Sequence, residues 1–116
     1  MDVLDARVQL ITLSGALGLS NERQLRSALA EAVGDRSREL VVDLRGVTFI
    51  ESSALAVLIH AHQQLERQAR AMACVVRAGP VRSLLDAVGL RDALLICDSP
   101  EEGAARVLAA RRPSSG

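Results

Sequence analysis

Apolar positions along this chain fall into two rhythms that alternate from start to finish. Short runs of aliphatic and β-branched residues predict strands. Between them lie longer segments with apolar residues three and four apart, the spacing of one helix face. Arg7–Leu13 (RVQLITL) predicts the first strand, ended by Ser14-Gly15-Ala16-Leu17-Gly18. Ser20 is placed to cap a helix running to about Val33, with Leu25, Ala28, Leu29, Ala32 and Val33 on its apolar face and Gly34 as its stop. Glu39–Leu44 is a nearly continuous apolar run, the pattern of a strand covered on both faces. Gly46 punctuates it, and Thr48-Phe49-Ile50 forms a second short apolar run in the loop that follows.

Ser52 to about Arg70 reads as the second helix, its core stripe being Leu55, Leu58, Ile59, His62, Leu65 and Ala69. Ala73–Arg77 predicts a short strand, broken by Gly79-Pro80. Val81–Val88 predicts a short helix closed by Gly89. Ala93–Cys97 predicts a last strand. Ser99-Pro100-Glu101-Glu102 then opens a helix with a Ser cap, Pro at the first helical position and acids in the first turn. That helix runs to about Arg111, with Arg111 and Arg112 suited to its negative end. Strand and helix alternate throughout, so the fold class is α/β, a sheet with helices packed on it. Residues 1–112 form one domain and 113–116 a flexible C-terminal tail.

Composition sharpens this picture mainly by exclusion. Of 116 residues, 49% are apolar, yet Phe49 is the single Phe, Tyr or Trp. A chain so poor in aromatic rings lacks the stacking platforms that bind single-stranded nucleic acid. The 14 basic residues, all Arg, balance 14 acids, which leaves no broad positive footprint for nucleic acid. Cys74 and Cys97 are too few for a disulfide scaffold, lack metal-ligand spacing and sit in apolar surroundings, so they read as reduced core thiols. No apolar run nears the roughly 20 residues that span a bilayer, and no basic segment followed by an apolar one opens the chain. The expected location is cytoplasmic.

Candidate chemistry concentrates at Glu51-Ser52-Ser53, before the apolar helical pattern of Ala54–Ile59. One serine can cap the helix while the other stands exposed at its start. A hydroxyl there is a reasonable phosphoryl acceptor, because the positive end of the helix dipole tolerates an anion. The bland reading is that both serines merely cap. No nucleotide-binding, metalloprotease or hydrolase motif is present. The nearest histidine, His60, lies about 10 Å along the helix from Ser53 at ~1.5 Å rise per residue, too far for a general base. His60 and His62 are two apart and point to different sides of the helix, which is wrong for a metal site. The chain is therefore read as a non-enzyme without cofactor or metal. Asp43 keeps two readings, a structural acid bonded to a neighbouring loop or a member of a partner surface.

The segment Val42-Asp43-Leu44, Val47-Thr48-Phe49-Ile50, Glu51-Ser52-Ser53-Ala54-Leu55 resembles the hallmark of the STAS domain of anti-sigma-factor antagonists. A second resemblance follows at the right place, where Pro80–Leu90 matches a Pro, an apolar helix and Gly-Leu. The resemblance covers nearly the whole chain. It implies a mixed sheet of about four to five strands with about four helices mainly on one side. It also implies an antagonist that binds a kinase-type anti-sigma factor and releases its sigma factor, switched off by phosphorylation of Ser53; by position in the motif Ser53 is the exposed acceptor and Ser52, the second choice, the cap. A serine phosphatase is the further partner implied, with no nucleic acid and no direct membrane contact. The partner interface it implies comprises Glu51, Ser52, Ser53, Ala54, Asp43, Gly15 and Gly18. Three positions depart from the family pattern: Glu51 stands for Asp, Ala54 for Gly, and Gly15-Ala16-Leu17-Gly18 for a turn with two acids. Two other roles belong to the same family: a constitutive subunit of a lipid-transport ATPase complex, and a stressosome-like scaffold.

Overall fold

The computed structural model describes residues 6–87 and 94–110. The expected stop at Gly89, the Gly89-Leu90 part of the second resemblance, Ala93, the Arg111-Arg112 pair and the 113–116 tail lie outside these residues. The elements alternate as read: β1 (Val8–Leu17), α1 (Glu22–Gly34), β2 (Glu39–Ile50), α2 (Ser52–Arg67), β3 (Met72–Val75), α3 (Pro80–Ala87), β4 (Leu95–Cys97) and α4 (Pro100–Ala110).

The strands form one sheet in the order β1-β2-β3-β4. Each neighbouring pair is parallel, so among the described residues the expected mixed sheet is parallel throughout. A helix lies between each strand and the next, which returns the chain to the same edge and makes parallel pairing the outcome. Side chains alternate across the sheet. Leu40, Val42 and Leu44 of β2 join Met72 and Cys74 of β3 in the larger core, with Leu25 and Leu29 of α1, Leu58 and Leu65 of α2, and Leu85 of α3. Val41, Ala73, Val75 and Cys97 face the other way and pack with Ala104 and Val107 of α4. Three helices thus cover one face and α4 the other. Crossovers of one hand between strands in sequential order place their helices on the same face.

Both thiols are free and buried, on opposite faces of the sheet. Burial pushes the Cys74 thiol up to about 12 and raises that of Cys97 as well. Neither is a thiolate near neutral pH.

Two strands are longer than their sequence pattern predicts. β1 runs through Ser14-Gly15-Ala16 to Leu17, and β2 runs through Gly46 and Thr48-Phe49 to Ile50. Their pairing continues to Leu17↔Ile50 by way of two register shifts, at Thr12/Ser14 and Gly15/Ala16. Gly15 carries the second shift with φ +76°, a conformation open to glycine. The glycines that read as strand ends are therefore irregularities inside a continuing ladder.

The helix starts differ from expectation in two places. Asn21, not Ser20, precedes α1. Its side chain turns back, accepting from the Gly18 N–H at 2.8 Å and donating to the Ala16 carbonyl at 2.8 Å. Glu51, not Ser52, precedes α2. The α4 start follows expectation: the Ser99 hydroxyl accepts from the Glu102 N–H at 3.1 Å, and the Glu102 carboxylate accepts from the Asp98 N–H at 2.9 Å.

Candidate phosphoacceptor and docking site

The serine pair is set by where β2 ends. The Glu51 N–H donates to the Leu17 carbonyl at 2.8 Å, the last backbone bond tying β2's end to β1's. Glu51 is extended, with φ −81° and ψ 162°. The chain turns helical at the next residue, so Ser52 and Ser53 are the first two residues of α2 rather than residues before it. No side chain caps α2. The expected capping role of Ser52 is therefore not what its position supports, and the first N–H groups of α2 keep no intrahelical acceptor.

The two hydroxyls differ in setting. Ser52 is exposed. Ser53 is half-buried, and its Oγ is shielded from solvent with no hydrogen-bond partner. The expectation of an exposed Ser53 hydroxyl is thus corrected. Being the second helical residue turns Oγ toward the body of the domain. Ala54, expected at the interface, is fully buried in the larger core. Its methyl helps seat the first turn of α2 on the sheet, and no surface of it remains for a partner.

Glu51 and Gly18 come together across the two chain reversals. A Cβ on Gly18 would lie 2.2 Å from a Glu51 carboxylate oxygen. The carboxylate therefore occupies the space that glycine leaves open. A longer acid at position 51 and a side-chain-free residue at position 18 fit each other. Gly15 sits farther back in β1, at the register shift.

Asp43 stands apart from the serines. It shares the sheet face of Val41, which packs under α4. Its carboxylate accepts from Arg45 Nη2 at 2.8 Å, from Arg45 Nε at 3.0 Å and from the Arg45 N–H at 3.0 Å. Burial raises its pKa, but the Arg45 hydrogen bonds outweigh that and hold the carboxyl below its ordinary value. The structural reading of Asp43 fits this geometry, with a partner two residues on rather than in a neighbouring loop.

Sequence reasoning missed the groove beside the serines. It has a volume of about 750 Å³. The end of β2 supplies Thr48, Phe49 and Ile50, the start of α2 supplies Glu51, Ser52, Ser53 and Leu55, and α3 supplies Pro80, Val81 and Leu84, with Leu19 at the rim. Phe49 is 57% exposed and Leu19 76% exposed, unusual for large apolar side chains. One signal existed in the sequence: the single aromatic residue lies two positions before the acid and serines. The α3 wall had none, since 27 positions separate Ser53 from Pro80.

Glu51 is the one titratable residue among those that line the groove. His60 lines a separate depression between α1 and α2. His62 is largely buried, with Nε2 3.9 Å from the Glu66 carboxylate. Neither histidine therefore stands beside the serine pair. Among the described residues no cluster of three or more His, Cys, Asp or Glu is placed to hold a metal ion, and no helix is long and apolar enough to cross a membrane.

Comparison with known proteins returns one family, the STAS domain, matched over residues 4–103. No curated protein matches the sequence. Among solved structures, an anti-sigma factor antagonist from Mycobacterium paratuberculosis superposes with a TM-score of 0.81 at 22% identity, over 90% of this chain and 88% of that one. The Bacillus cell fate determinant SpoIIAA in its phosphorylated form gives a TM-score of 0.69 at 19% identity, covering 91% of this chain and 96% of that one. A sulfate transporter family protein from Wolinella succinogenes gives 0.74 at 14% identity, covering 94% and 91%. At these identities the likeness is one of fold.

Proposed function

This chain belongs to the STAS domain family, and on that premise we propose that it is an anti-sigma factor antagonist switched by serine phosphorylation. The observation that carries the reading is the pair Ser52-Ser53 as the first residues of an uncapped α2, beside an apolar groove with exposed Phe49. Unphosphorylated, this face docks on a kinase-type anti-sigma factor, which then releases its sigma factor. The kinase transfers a phosphoryl group to Ser53, and a serine phosphatase removes it. Transfer to Ser53 requires a χ1 rotation that brings Oγ out into the groove it already lines. Ser52, exposed, is the alternative acceptor.

A phosphoserine carries about −1.5 to −2 charges. The uncapped N–H groups of α2 hold that charge without refolding the domain. Toward a partner the effect is opposite. The anion sits beside Glu51 on a face whose other contacts are apolar, and it must be desolvated for docking. A loss of about 4 kcal/mol weakens binding roughly a thousandfold. The role needs no catalytic group on this chain, which acts in the cytoplasm as a diffusible protein. The same fold serves constitutive transport subunits and scaffolds, and those roles need no phosphate at position 53.

Intact-mass analysis with peptide mapping of residues 51–65 after incubation with a kinase-type anti-sigma factor and ATP tests this directly. The expected result is one phosphate at Ser53, absent from Ser53→Ala. A phosphate that persists in Ser53→Ala and vanishes in Ser52→Ala reassigns the acceptor. No phosphate, with the protein held in a stable complex, supports the constitutive-subunit role instead.

A further inference from the structure

The turn between β1 and α1 presents an apolar side chain on a fixed frame. Leu19 is 76% exposed at its tip. The Asn21 N–H donates to the Gly18 carbonyl at 3.2 Å, which makes Gly18-Leu19-Ser20-Asn21 a β-turn with Leu19 at its first central position. Asn21 closes the turn a second time. Its Oδ1 accepts from the Gly18 N–H and its Nδ2 donates to the Ala16 carbonyl, both at 2.8 Å. An asparagine before a helix ordinarily bonds the helix's own free N–H groups. Asn21 makes no such bond to α1. Its amide is given over to holding the turn.

The same turn is fixed to the start of α2. The Glu51 N–H donates to the Leu17 carbonyl at 2.8 Å, and the Glu51 carboxylate fills the space beside Gly18. Leu19 therefore stands at a set place relative to the serine pair, on the rim of the groove that Phe49 lines. Residues 15–21 carry no titratable side chain, so what the turn offers is shape and apolar area. A side chain held in its bound position before docking loses little freedom when it binds. We infer that Leu19 is an anchor for an apolar recess on the anti-sigma factor, and that Asn21 is the positioning residue that presents it. The inference deepens the docking reading above and rests on it.

Docking on the anti-sigma factor is measured by calorimetry for the full unmodified chain, Leu19→Ala, Asn21→Asp and the double variant. Aspartate has the shape of asparagine and ranks with it before a helix. It sets a carboxylate against the Ala16 carbonyl, so it breaks the lock while suiting the start of α1. Leu19→Ala is expected to weaken docking about tenfold, and Asn21→Asp about fivefold. The double variant is expected to be about tenfold weaker and not the product of the two, because Asn21 acts through Leu19. Denaturant midpoints stay at the unmodified value in all three variants. In Asn21→Asp the NMR order parameters of the Leu19 and Ser20 amides fall from about 0.85 toward about 0.6. An unmodified chain that does not dock overturns the docking reading and this inference together. Undiminished docking of Leu19→Ala overturns the inference alone. A double variant weakened by the full product, or turn amides that stay ordered in Asn21→Asp, overturns the part given to Asn21.

Discussion

The two ends of α2 are finished in opposite ways. Its C-terminal end is closed. Ala69 N–H donates to the Glu66 carbonyl at 3.0 Å and Arg70 N–H to that of Leu65 at 2.9 Å, the paired bonds of a Schellman motif. Arg70 is 8% exposed. Its guanidinium donates to the carbonyls of Val33 at 2.6 Å, Asp35 at 2.8 Å and Ala32 at 3.3 Å, to that of Arg38, and to Gln68 Oε1 at 2.6 Å. One side chain thereby satisfies the last carbonyls of α1 and ties the α1–β2 turn to the end of α2. The N-terminal end of the same helix has no cap, an unpartnered hydroxyl and an exposed aromatic ring. The contrast separates stability from function. The polar groups at the C-terminal end of α2 are met by the chain itself, and those at its N-terminal end are left open to a partner or a phosphate.

Arg70→Met breaks the closed end most severely. It takes the guanidinium donor from the Val33 and Arg38 carbonyls, at about 1–3 kcal/mol each, while Ala32 keeps Gln9 Nε2 and the Asp35 N–H, and Asp35 keeps the Arg38 N–H. The expected loss of stability is about 3–5 kcal/mol, read from denaturant midpoints. Phe49→Ala breaks the open end without touching the closed one. Stability stays within about 0.5 kcal/mol of wild type, as for an exposed site, while docking on the anti-sigma factor weakens by about 2 kcal/mol if Phe49 is an anchor. A variant that loses stability and keeps affinity would assign Phe49 to packing.

Acid sharpens the contrast by a smaller amount. Ser37 and Arg38 hold the Asp35 carboxyl down to about 2 through hydrogen bonds, and Arg45 holds Asp43 below its ordinary value. A carboxyl depressed in the fold stabilises it above its unfolded value, near about 3.9. That contribution fades as pH falls through the folded value. Thermal midpoints are expected to fall from pH 5 toward pH 2, less steeply in Asp43→Asn. A fall of equal slope in that variant removes Asp43 from the explanation. The smallest expected effect is at Ala69, the one described non-glycine residue with positive φ, at 56°. A left-handed conformation costs an L-residue about 1–2 kcal/mol, and glycine gives back about 0.4–1 kcal/mol through its looser unfolded chain. Ala69→Gly therefore stabilises by about 0.5 kcal/mol. Destabilisation would mean the Ala69 methyl makes a contact that outweighs its backbone strain.

The same division explains what the sequence made legible. The element order, both faces of the sheet and the α4 cap follow from local rules, because periodicity and a Ser-Pro-Glu-Glu opener act over a few residues. The strand ends were misplaced because Gly15 and Gly46 carry turn chemistry, while the β1–β2 ladder, a contact between distant segments, keeps both residues in strands. Ser52 and Ser20 have cap chemistry but lost the cap positions to Glu51 and Asn21, since the ladder's last bond decides where α2 begins. The serine motif was visible as a string. Which hydroxyl is shielded, and the α3 wall opposite it, were not, because both depend on how α2 and α3 pack. Arg70 read as the tail of a helix, since nothing local distinguishes a buried arginine from a solvated one.

The most direct measurement is the affinity of the kinase-type anti-sigma factor for this chain unmodified, as Ser53→Ala and as Ser53→Asp, by calorimetry at one salt concentration. The account predicts that Ser53→Ala binds like the unmodified chain and that Ser53→Asp, with one charge in place of about two, binds at least about tenfold more weakly. It also predicts that all three share one thermal midpoint within a few degrees. Equal affinity of Ser53→Asp and the unmodified chain would contradict a charge switch at the start of α2.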